Sequence, residues 1–381
     1  MKHPLFQRLT RIKQLGLTNV VYPGAQHTRF QHSLGAFHLT SEAILSLTQK
    51  GVFIFESEAE AVQSAILMHD IGHGPFSHVL ENTLIHGISH EEISLMMMNE
   101  INHDLGDNLT LAIKIFKDEY PKRFLHQLIS SQLDMDRLDY LRRDSFFTGV
   151  TEGNIGSARI IKMLNVVDDN LVVDSKGIYS IENYLTSRRL MYWQVYLHKT
   201  TVGYEKLLVN LLSRAKYLAD QGETLFATPA LHFFLYNHID KEAFVDNAEP
   251  LQHYKMLDDS DIWASVKAWT THRDPILSLL SRNLIDRRIF KVEVRSTAVE
   301  EAEVMDIRHQ IAQRYGLSFD DTAYLVNVST IRKDMYDIHD DHISILYKDG
   351  TIKDITEASE ILNISLLSKK ICKYYLCYQR F

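Results

Sequence analysis

The residues best suited to chemistry are concentrated between positions 67 and 91. This stretch contains the adjacent pair His69-Asp70, followed by His73, His78, His86 and His90. An adjacent His and Asp can ligate one metal ion through nitrogen and oxygen donors, and nearby imidazoles can transfer protons beside it. The stretch therefore predicts metal and proton chemistry, with the remaining ligands expected elsewhere in the chain.

The two remaining ligands are predicted to be a histidine upstream and an aspartate downstream. His32 stands at the start of a helical pattern, and Asp136 lies in a second polar helix. Two neutral imidazoles and two carboxylates around a divalent cation form a neutral cluster, which can be buried without an isolated charge. This donor set suits Mn, Fe, Zn or Mg, so the spacing does not choose among them.

Helical spacing places further polar side chains beside these ligands. Asp136, Tyr140 and Asp144 are four residues apart, so they share one helix face. The same spacing relates Arg188, Tyr192 and Tyr196. Both faces are too polar to be ordinary core stripes. We therefore predict that two helices present charged and aromatic groups to one cleft.

The elements that must position these residues are mostly helical. Apolar residues recur three and four apart from Phe30 to about Ser281, interrupted by a β-hairpin or exposed loop at Asp168–Tyr179. After Arg287 the pattern changes to β-forming segments around one helix. The predicted strands are Ile289–Val294, Ala323–Val328, Ile343–Tyr347 and Ile371–Tyr378, the helix is Val299–Tyr315, and Asp349-Gly350 is a hairpin turn. We expect a helical domain over residues 1–284 and a small α+β lobe over residues 285–381.

Composition indicates a soluble protein of the reducing cytoplasm. The 381 residues are 45% hydrophobic and 24% charged, without an apolar run long enough to span a membrane or a signal peptide. Cys372 and Cys377, the two cysteines, are five apart in a predicted strand, which disfavours a disulfide between them. The net charge of −8 argues against broad nucleic-acid binding.

Longer strings around the predicted ligands resemble a known family. Residues 27–35, 69–78 and 134–144, in this order, are similar to the motifs of the HD phosphohydrolase superfamily, in its deoxynucleoside triphosphate (dNTP) triphosphohydrolase branch. The similarity runs almost from the start to about residue 205. It implies a mainly α fold, an HD-domain helical bundle with a small C-terminal α+β lobe. Roles are carried over only at matching positions.

The resemblance implies three groups of site residues. The metal ligands are His32, His69, Asp70 and Asp136, and the catalytic shell is His73, His78, His90, Glu81 and Glu91. The substrate contacts are Gln14, Leu15, Arg29, Arg137, Tyr140, Asp144, Arg188, Tyr192 and Tyr196. Among these, the arginines match phosphate contacts, and Tyr196 matches an aromatic that crowds the ribose 2′ position.

The implied reaction is hydrolysis at the α-phosphorus of a dNTP, which releases a deoxynucleoside and inorganic triphosphate. One divalent ion is expected to bind tightly and a second can arrive with the substrate. The metal activates water, and His78, supported by Glu81 or Glu91, is the expected proton donor to the sugar 5′-oxygen. A homo-oligomer, dimer or tetramer, is also implied, with no membrane and no stable nucleic-acid partner.

Two departures from the family pattern concern regulation and base choice. The chain begins almost directly at Pro4, whereas relatives carry a further β-rich segment, and Thr10 replaces a basic residue used in guanine recognition. Activation by dGTP or GTP in that manner is therefore not expected. Leu197 and Tyr192 differ from the residues near the base, so base preference is not carried over.

Two other functional classes stay open at this point. An HD phosphatase acting on nucleotide monophosphates or other phosphoesters would use the same metal ligands. A non-catalytic module binding nucleotides or single-stranded nucleic acid would not need them. The arginines favour a polyphosphate over the first class, and the complete ligand set with the acidic net charge disfavours the second.

Overall fold

The computed structural model describes residues 1–81, 83–333, 342–359 and 371–380, apart from the side chains of His78 and Lys333. The described chain is mainly helical, which confirms the predicted fold class. The α-helices are α1 Pro4–Gln7, α2 Arg29–Gln49, α3 Glu56–Met68, α4 Ser77–Glu81, α5 His90–Asp104, α6 Thr110–Phe116, α7 Arg123–Gln127, α8 Met135–Thr148, α9 Ser157–Met163, α10 Ile178–Met191, α11 Lys199–Asp220, α12 Pro229–Tyr236, α13 Lys241–Asp246, α14 Ala248–Met256, α15 Asp259–Trp269, α16 Pro275–Ile285, α17 Glu301–Tyr315 and α18 Ile355–Ala358.

Short strands form three small sheets between and after the helices. The strands are β1 Ile85–His86, β2 Leu164–Val167, β3 Asn170–Asp174, β4 Ile239–Asp240, β5 Lys291–Arg295, β6 Val326–Lys333, β7 Ser344–Leu346, β8 Ile352–Asp354 and β9 Ile371–Tyr378. β1 and β4 pair in parallel. The second sheet has the order β2-β3-β7-β8, and the third has the antiparallel order β5-β9-β6.

Most of the local predictions agree with these elements. The interruption near residue 170 is a hairpin, because β2 and β3 pair antiparallel across Asp168 and Asp169. Asp349-Gly350 lies between the antiparallel strands β7 and β8. Cys372 and Cys377 both lie in β9 and are free. The division at residue 284 stays a prediction; the structure adds that β7 pairs in parallel with β3, from the helical part of the chain.

The first of two apolar cores holds together the helices that supply the predicted metal ligands. α2 packs against both α3 and α8. Their contact is closed by small and branched side chains spaced three and four apart, including Ala36, Ala43, Val62, Ala65 and Leu138, which are fully buried or nearly so. Because this stripe fixes how the three helices lie against one another, it also fixes the residues at their ends.

The second core lies under α11 and α16, the helices with the most strongly amphipathic patterns. It joins α4, α5 and helices α11 to α16 to the sheet of β5, β6 and β9, through buried residues such as Leu208, Leu280 and Leu376. Trp269 is buried in it and donates its indole N–H to the carbonyl of Phe226. The C-terminal strands are thereby packed onto the helices that follow the ligand-bearing ones.

In the part of the chain that the structure describes, no helix combines the length and apolarity needed to cross a bilayer.

Candidate active site

Helix boundaries bring the four predicted metal ligands together. His32 lies in the first turn of α2, where Gln31 accepts a hydrogen bond from the backbone N–H of Thr28 and closes the helix start. His69 caps the end of α3, and Asp70 follows it. Asp136 is in the first turn of α8, whose N-cap is Asp134. Ligands at helix ends face the junction between helices rather than a packed helix side.

Three ligand atoms converge on one point. His32 Nε2 lies 3.0 Å from Asp136 Oδ1 and 3.3 Å from His69 Nε2, and His69 Nε2 lies 3.4 Å from Asp136 Oδ1. Ligand atoms that each bind one ion at about 2.1 Å lie about 3.0 to 3.4 Å from one another in octahedral or tetrahedral geometry. These three residues therefore have the spacing of a metal site.

The hydrogen bonds on the far side of the two histidine rings also indicate a metal site. His32 Nδ1 lies 2.8 Å from Asp139 Oδ2, and His69 Nδ1 lies 2.6 Å from the carbonyl oxygen of Ile66. A carboxylate and a carbonyl can only accept, so both imidazoles carry their proton on Nδ1. In the neutral rings both Nε2 lone pairs then face Asp136, an arrangement that a cation satisfies.

Protons compete for the same positions when no cation is bound. Burial disfavours charge on both rings, but Asp136 and Asp139 raise the pKa of His32 well above its usual value, and Asp70 with Asp136 raises that of His69. Burial would raise the pKa of Asp136, yet its hydrogen bonds to the two histidines lower it. The carboxylate therefore stays ionised, as a metal ligand must be.

Asp70 borders the cluster and links it to a charged neighbour. Its Oδ1 lies 3.4 Å from His69 Nε2, and its Oδ2 lies 3.9 Å from His32 Nε2. Arg29 donates from Nη1 to Asp70 Oδ2 at 2.5 Å. Burial opposes ionisation, but the charges of His69 and Arg29 hold the pKa of Asp70 well below its usual range. Asp70 is thus an ionised fourth ligand candidate.

The predicted catalytic shell is only partly assembled. His73 Nε2 lies 3.3 Å from Asp70 Oδ1, and its ring stacks on His90 with centroids 3.9 Å apart. His90 Nδ1 is 3.6 Å from Glu81 Oε1. Burial and the charge of Arg29 lower the pKa of His73 to about 3, so this ring is neutral near pH 7. His73, His90 and Glu81 therefore form one connected group.

Glu91 is not joined to this group by any contact among the described residues. Glu91 is exposed in the first turn of α5, and no hydrogen bond or ion pair joins it to another described site residue. The side chain of His78 lies outside the described residues, so its predicted role as proton donor stays a prediction. The start of α5 is capped by its neighbours instead: the N–H of Ser89 donates to Glu92 Oε2, and the N–H of Glu92 donates to Ser89 Oγ.

Gly72 allows α5 to approach the ligand turn closely. A Cβ at this position would lie 2.7 Å from Ser94 Oγ and closer still to the backbone of His90. The hydroxyl of Ser94 accepts from the N–H of Gly72 and donates to the carbonyl of His69. This contact places His90 over His73. A larger residue at position 72 would separate the two rings.

The three predicted phosphate-binding arginines surround the cluster on different elements. Arg29 bonds to Asp70, Arg137 donates to Asp134 at 3.0 Å, and Arg188 donates to Gln132 at 3.1 Å. The Nε groups of Arg29 and Arg188 are buried and have no acceptor among the described residues. A buried N–H with no acceptor is costly unless an oxygen-rich ligand supplies one.

Three tyrosines lie close together near the end of α10, which changes into a π-helical turn at Tyr192–Tyr196. The prediction that Arg188, Tyr192 and Tyr196 share one continuous α-helical face is therefore wrong, although the two tyrosine rings still lie against each other. Tyr192 and Tyr196 have ring centroids 5.2 Å apart, and Tyr140 is 6.0 Å from Tyr196. π-turns are frequent at functional sites because they redirect side chains without ending the helix.

Asp144 is already engaged at both of its oxygens. Tyr196 donates its hydroxyl to Asp144 Oδ2 at 2.8 Å, and His27 Nε2 lies 2.7 Å from Asp144 Oδ1. His27 is buried and stacks on Phe147. Each carboxylate oxygen has a second lone pair, so Asp144 can still accept from a ligand hydroxyl.

Gln14 and Leu15 lie next to the start of α2. The N–H of Gln14 donates to the carbonyl of His27, and Gln14 Oε1 is buried without a hydrogen-bond donor among the described residues. Leu15 packs on the first core. Both residues are thus held close to the segment that carries Arg29 and His32.

Sequence reasoning missed several supporting residues. From the sequence, Asp139 fits a supporting acceptor behind a ligand and a solvated helix charge equally well, whereas the structure buries it against His32. Arg8 is buried and donates to the carbonyls of Ile71 and His73. The spacing of Asp139 three residues after Asp136 was a usable signal, whereas nothing near Arg8 indicated a contact 63 residues away.

Comparison with known proteins agrees with this geometry. The HD domain model matches residues 29–144, which span all four ligand candidates, and the HD associated region matches residues 155–223. The uncharacterised protein YwfO of Bacillus subtilis is 33% identical over 98% of this chain and 86% of its own length. A crystal structure of a phosphohydrolase from Bacteroides thetaiotaomicron is 66% identical, with a TM-score of 0.97 over 100% of this chain and 94% of that one.

The chain therefore belongs to the HD phosphohydrolase superfamily and is similar to its dNTPase-like branch. A Dictyostelium discoideum relative named deoxynucleoside triphosphate triphosphohydrolase SAMHD1 homolog is 33% identical over 55% of this chain. This chain spans 44% of that relative's length. The protein is a phosphohydrolase of a metal-dependent class, and its His-His-Asp cluster fits a metal ion.

Proposed function

We propose that this protein hydrolyses dNTPs at the α-phosphorus and releases a deoxynucleoside and inorganic triphosphate. The observation that carries the proposal is a pair of arginines: Arg29, bonded to the ligand candidate Asp70, and Arg188 both have buried Nε groups with no acceptor among the described residues. A hydrolytic metal centre surrounded by arginines suits a substrate with several phosphates better than one with a single phosphate.

The metal ligands supply the first part of the reaction. A divalent ion bound there would polarise a phosphoryl oxygen and lower the pKa of water. Asp136 and Asp70 bring two negative charges against the charge of that ion. Arg29, bonded to Asp70, can turn its Nε toward a phosphate oxygen next to the ligands. This arrangement supports a position of the reacting phosphorus at the cluster.

The remaining phosphates would extend toward α8 and α10. Arg137 and Arg188 lie close enough for their charges to interact, and both are near Tyr140. Two guanidinium groups this close repel each other unless an anion lies between them. A triphosphate chain supplies that charge, and the work of these residues is positioning and electrostatic stabilisation.

The deoxynucleoside would lie against the tyrosines. Tyr196 is held by Asp144, and its ring lies edge-on to both Tyr140 and Tyr192. A fixed aromatic ring beside the sugar disfavours a 2′-hydroxyl by steric exclusion, and Asp144 can accept from a sugar hydroxyl. These contacts support a deoxyribonucleotide rather than a ribonucleotide.

The departing 5′-oxygen needs a proton because an alkoxide is a poor leaving group. The neutral ring of His73 is a poor source of it. His78, as predicted from the sequence, remains our choice, with the His90 and Glu81 pair as the neighbouring alternative. The product bond lies between water oxygen and the α-phosphorus, and the proton goes to the 5′-oxygen.

Product analysis tests the proposal. The purified protein is incubated with each dNTP, singly and mixed, with Mn²⁺ or Mg²⁺ in ¹⁸O-water, and the products are separated by ion exchange. We expect deoxynucleoside and triphosphate in equal amounts, with ¹⁸O in the triphosphate. Orthophosphate released from dNTPs, or turnover of nucleotide monophosphates alone, would support the phosphatase alternative instead.

The proposed partner is the dNTP substrate, and the proposed assembly is a homo-oligomer, by analogy with the family. Cytoplasmic location is proposed on composition alone. The ion is left open among Mn, Fe, Zn and Mg because the donor set suits all of them.

A further inference from the structure

His32 is supported from behind by a buried ion pair. The imidazole is fully buried, and its Nδ1 faces Asp139 Oδ2 at 2.8 Å. Arg143 binds the same carboxylate through two parallel bonds, Nε to Oδ2 and Nη2 to Oδ1, each 2.9 Å long. His69 has only a backbone carbonyl in the equivalent position. The two metal-binding histidines are therefore supported by different kinds of acceptor.

The backbone of α2 is shaped to receive this pair. Gly35 lies one turn after His32, and a Cβ on it would lie 2.6 Å from Asp139 Cγ and closer still to the ends of both side chains. The φ angle of Gly35 is not in the left-handed region, so glycine is required here for space and not for backbone conformation. The pair therefore packs directly on the helix that carries His32.

We propose that Asp139 and Arg143, seated against Gly35, form the positioning unit of the metal centre. Asp139 fixes the His32 proton on Nδ1 and the ring orientation, so that Nε2 is available to the ion. Arg143 holds the Asp139 carboxylate in place through its two bonds, and its charge balances the charge that Asp139 adds behind the ligand. Neither residue contacts the substrate or the ion.

Helix α8 therefore contributes two carboxylates to the metal centre. α8 supplies Asp136 as a ligand and, one turn later, Asp139 as the support of a ligand from α2. The spacing of three residues places both carboxylates on one face, toward His32. We expect the pair to set metal affinity, while the substrate contacts of Arg137 and Arg188 remain intact. This inference requires the metal site and is independent of which phosphoester is cleaved.

Direct metal binding tests the proposal. Metal-free wild-type protein and the variants Asp139→Asn, Arg143→Gln and Gly35→Ala are titrated with Mn²⁺ by calorimetry, without substrate. Loss of such a supporting partner typically lowers metal affinity by about 10- to 100-fold. We expect a Kd increase in this range for Asp139→Asn and a smaller increase for the other two. Gly35→Ala changes no ligand residue and improves helix propensity. A higher Kd for Mn²⁺ in this variant would therefore report displacement of the Asp139 and Arg143 pair.

A matched control separates positioning from stability. Glu58 is equally buried in an ion pair with Lys122, near the start of α3 and away from the ligands. Glu58→Gln should lower the melting temperature of the metal-free protein without changing the Kd for Mn²⁺. The proposal is overturned if Asp139→Asn and Gly35→Ala bind Mn²⁺ as tightly as wild type. If Asp139→Asn does not fold, unchanged Kd values for Arg143→Gln and Gly35→Ala overturn it equally.

Discussion

At the residue scale, the ability of the site to bind a cation depends on lone pairs that face one another. His32, His69 and Asp136 direct acceptor atoms to one point, while their outer atoms are held by Asp139 and by Ile66. Arg29, which bonds to Asp70, and Arg188 each have a buried Nε group without an acceptor among the described residues. The acceptor atoms of the cluster are complementary to a metal cation, and the arginine donors are complementary to a polyanion bound to that cation.

Tyr196 gives the sharpest test of sugar choice at this scale. Tyr196→Ala removes the ring that lies beside Tyr140, so a 2′-hydroxyl should fit more easily. We expect the ratio of kcat/KM for a dNTP over the matching ribonucleotide to fall by about tenfold or more. Tyr196→Phe keeps the ring and loses only its bond to Asp144, so it should retain most of the discrimination. Equal ratios in all three proteins would contradict the assignment of Tyr196.

At the element scale, helix ends explain what the sequence could predict. The sequence places His32 at the start of a helical pattern, which is the start of α2 in the structure. It places Asp136 only within a polar helix, and the structure adds that this residue lies in the first turn of α8. The role of Asp139 could not be decided, because it depends on how closely α8 packs on Gly35 of α2. The parallel pairing of β7 with β3 joins segments 172 residues apart, and no local pattern specifies such a pair.

The π-turn was also beyond the sequence pattern, since four-residue spacing suggests a continuous α-helix. Its position depends on contacts from distant segments: Tyr22 donates to the carbonyl of Gln194 at 2.7 Å, and Tyr375 of β9 donates to that of Leu197 at 3.0 Å. Lys373 lies over the ring of Trp193. The C-terminal strand therefore holds the turn that carries Tyr192 and Tyr196.

Tyr375→Phe should loosen this turn. The partly buried carbonyl of Leu197 loses its donor, which costs about 1 kcal/mol of stability. We expect KM for the dNTP to rise by up to about tenfold, equivalent to about 1.4 kcal/mol, with an unchanged Kd for Mn²⁺. Tyr204→Phe is the matched control, since Tyr204 donates to the carbonyl of Leu284 away from the site. An equal rise in KM for both variants would mean that the effect is general destabilisation.

At the scale of the whole molecule, one buried carboxylate opposes the folded state. Asp259 accepts from the N–H of Lys13 at 3.1 Å, and its other oxygen is buried without a donor among the described residues. Burial raises its pKa to about 6. Between pH 4 and pH 6 the folded protein holds a proton that the unfolded chain has lost, so stability falls as pH rises through this window.

Asp259→Asn should remove this dependence. The penalty is absent below about pH 4 and complete above about pH 6, where it amounts to up to about 3 kcal/mol. We expect the variant to unfold at higher denaturant concentration than wild type at pH 7.5 and at a similar concentration at pH 4. Asp246→Asn, at an exposed position, is the charge-matched control. A gain of the same size at both pH values would contradict the raised pKa.

We propose that the cluster of His32, His69, Asp70 and Asp136 holds the metal ion needed to convert a dNTP to deoxynucleoside and triphosphate. The most direct measurement is triphosphate release by metal-stripped protein as Mn²⁺ is added back, for wild type and for Asp136→Asn. Wild type should regain activity, with Mn²⁺ bound tightly at the cluster. Asp136→Asn should release triphosphate at least about 100-fold more slowly than wild type at the same occupancy of substrate. Triphosphate release by stripped protein, or by Asp136→Asn at the wild-type rate, would contradict the account.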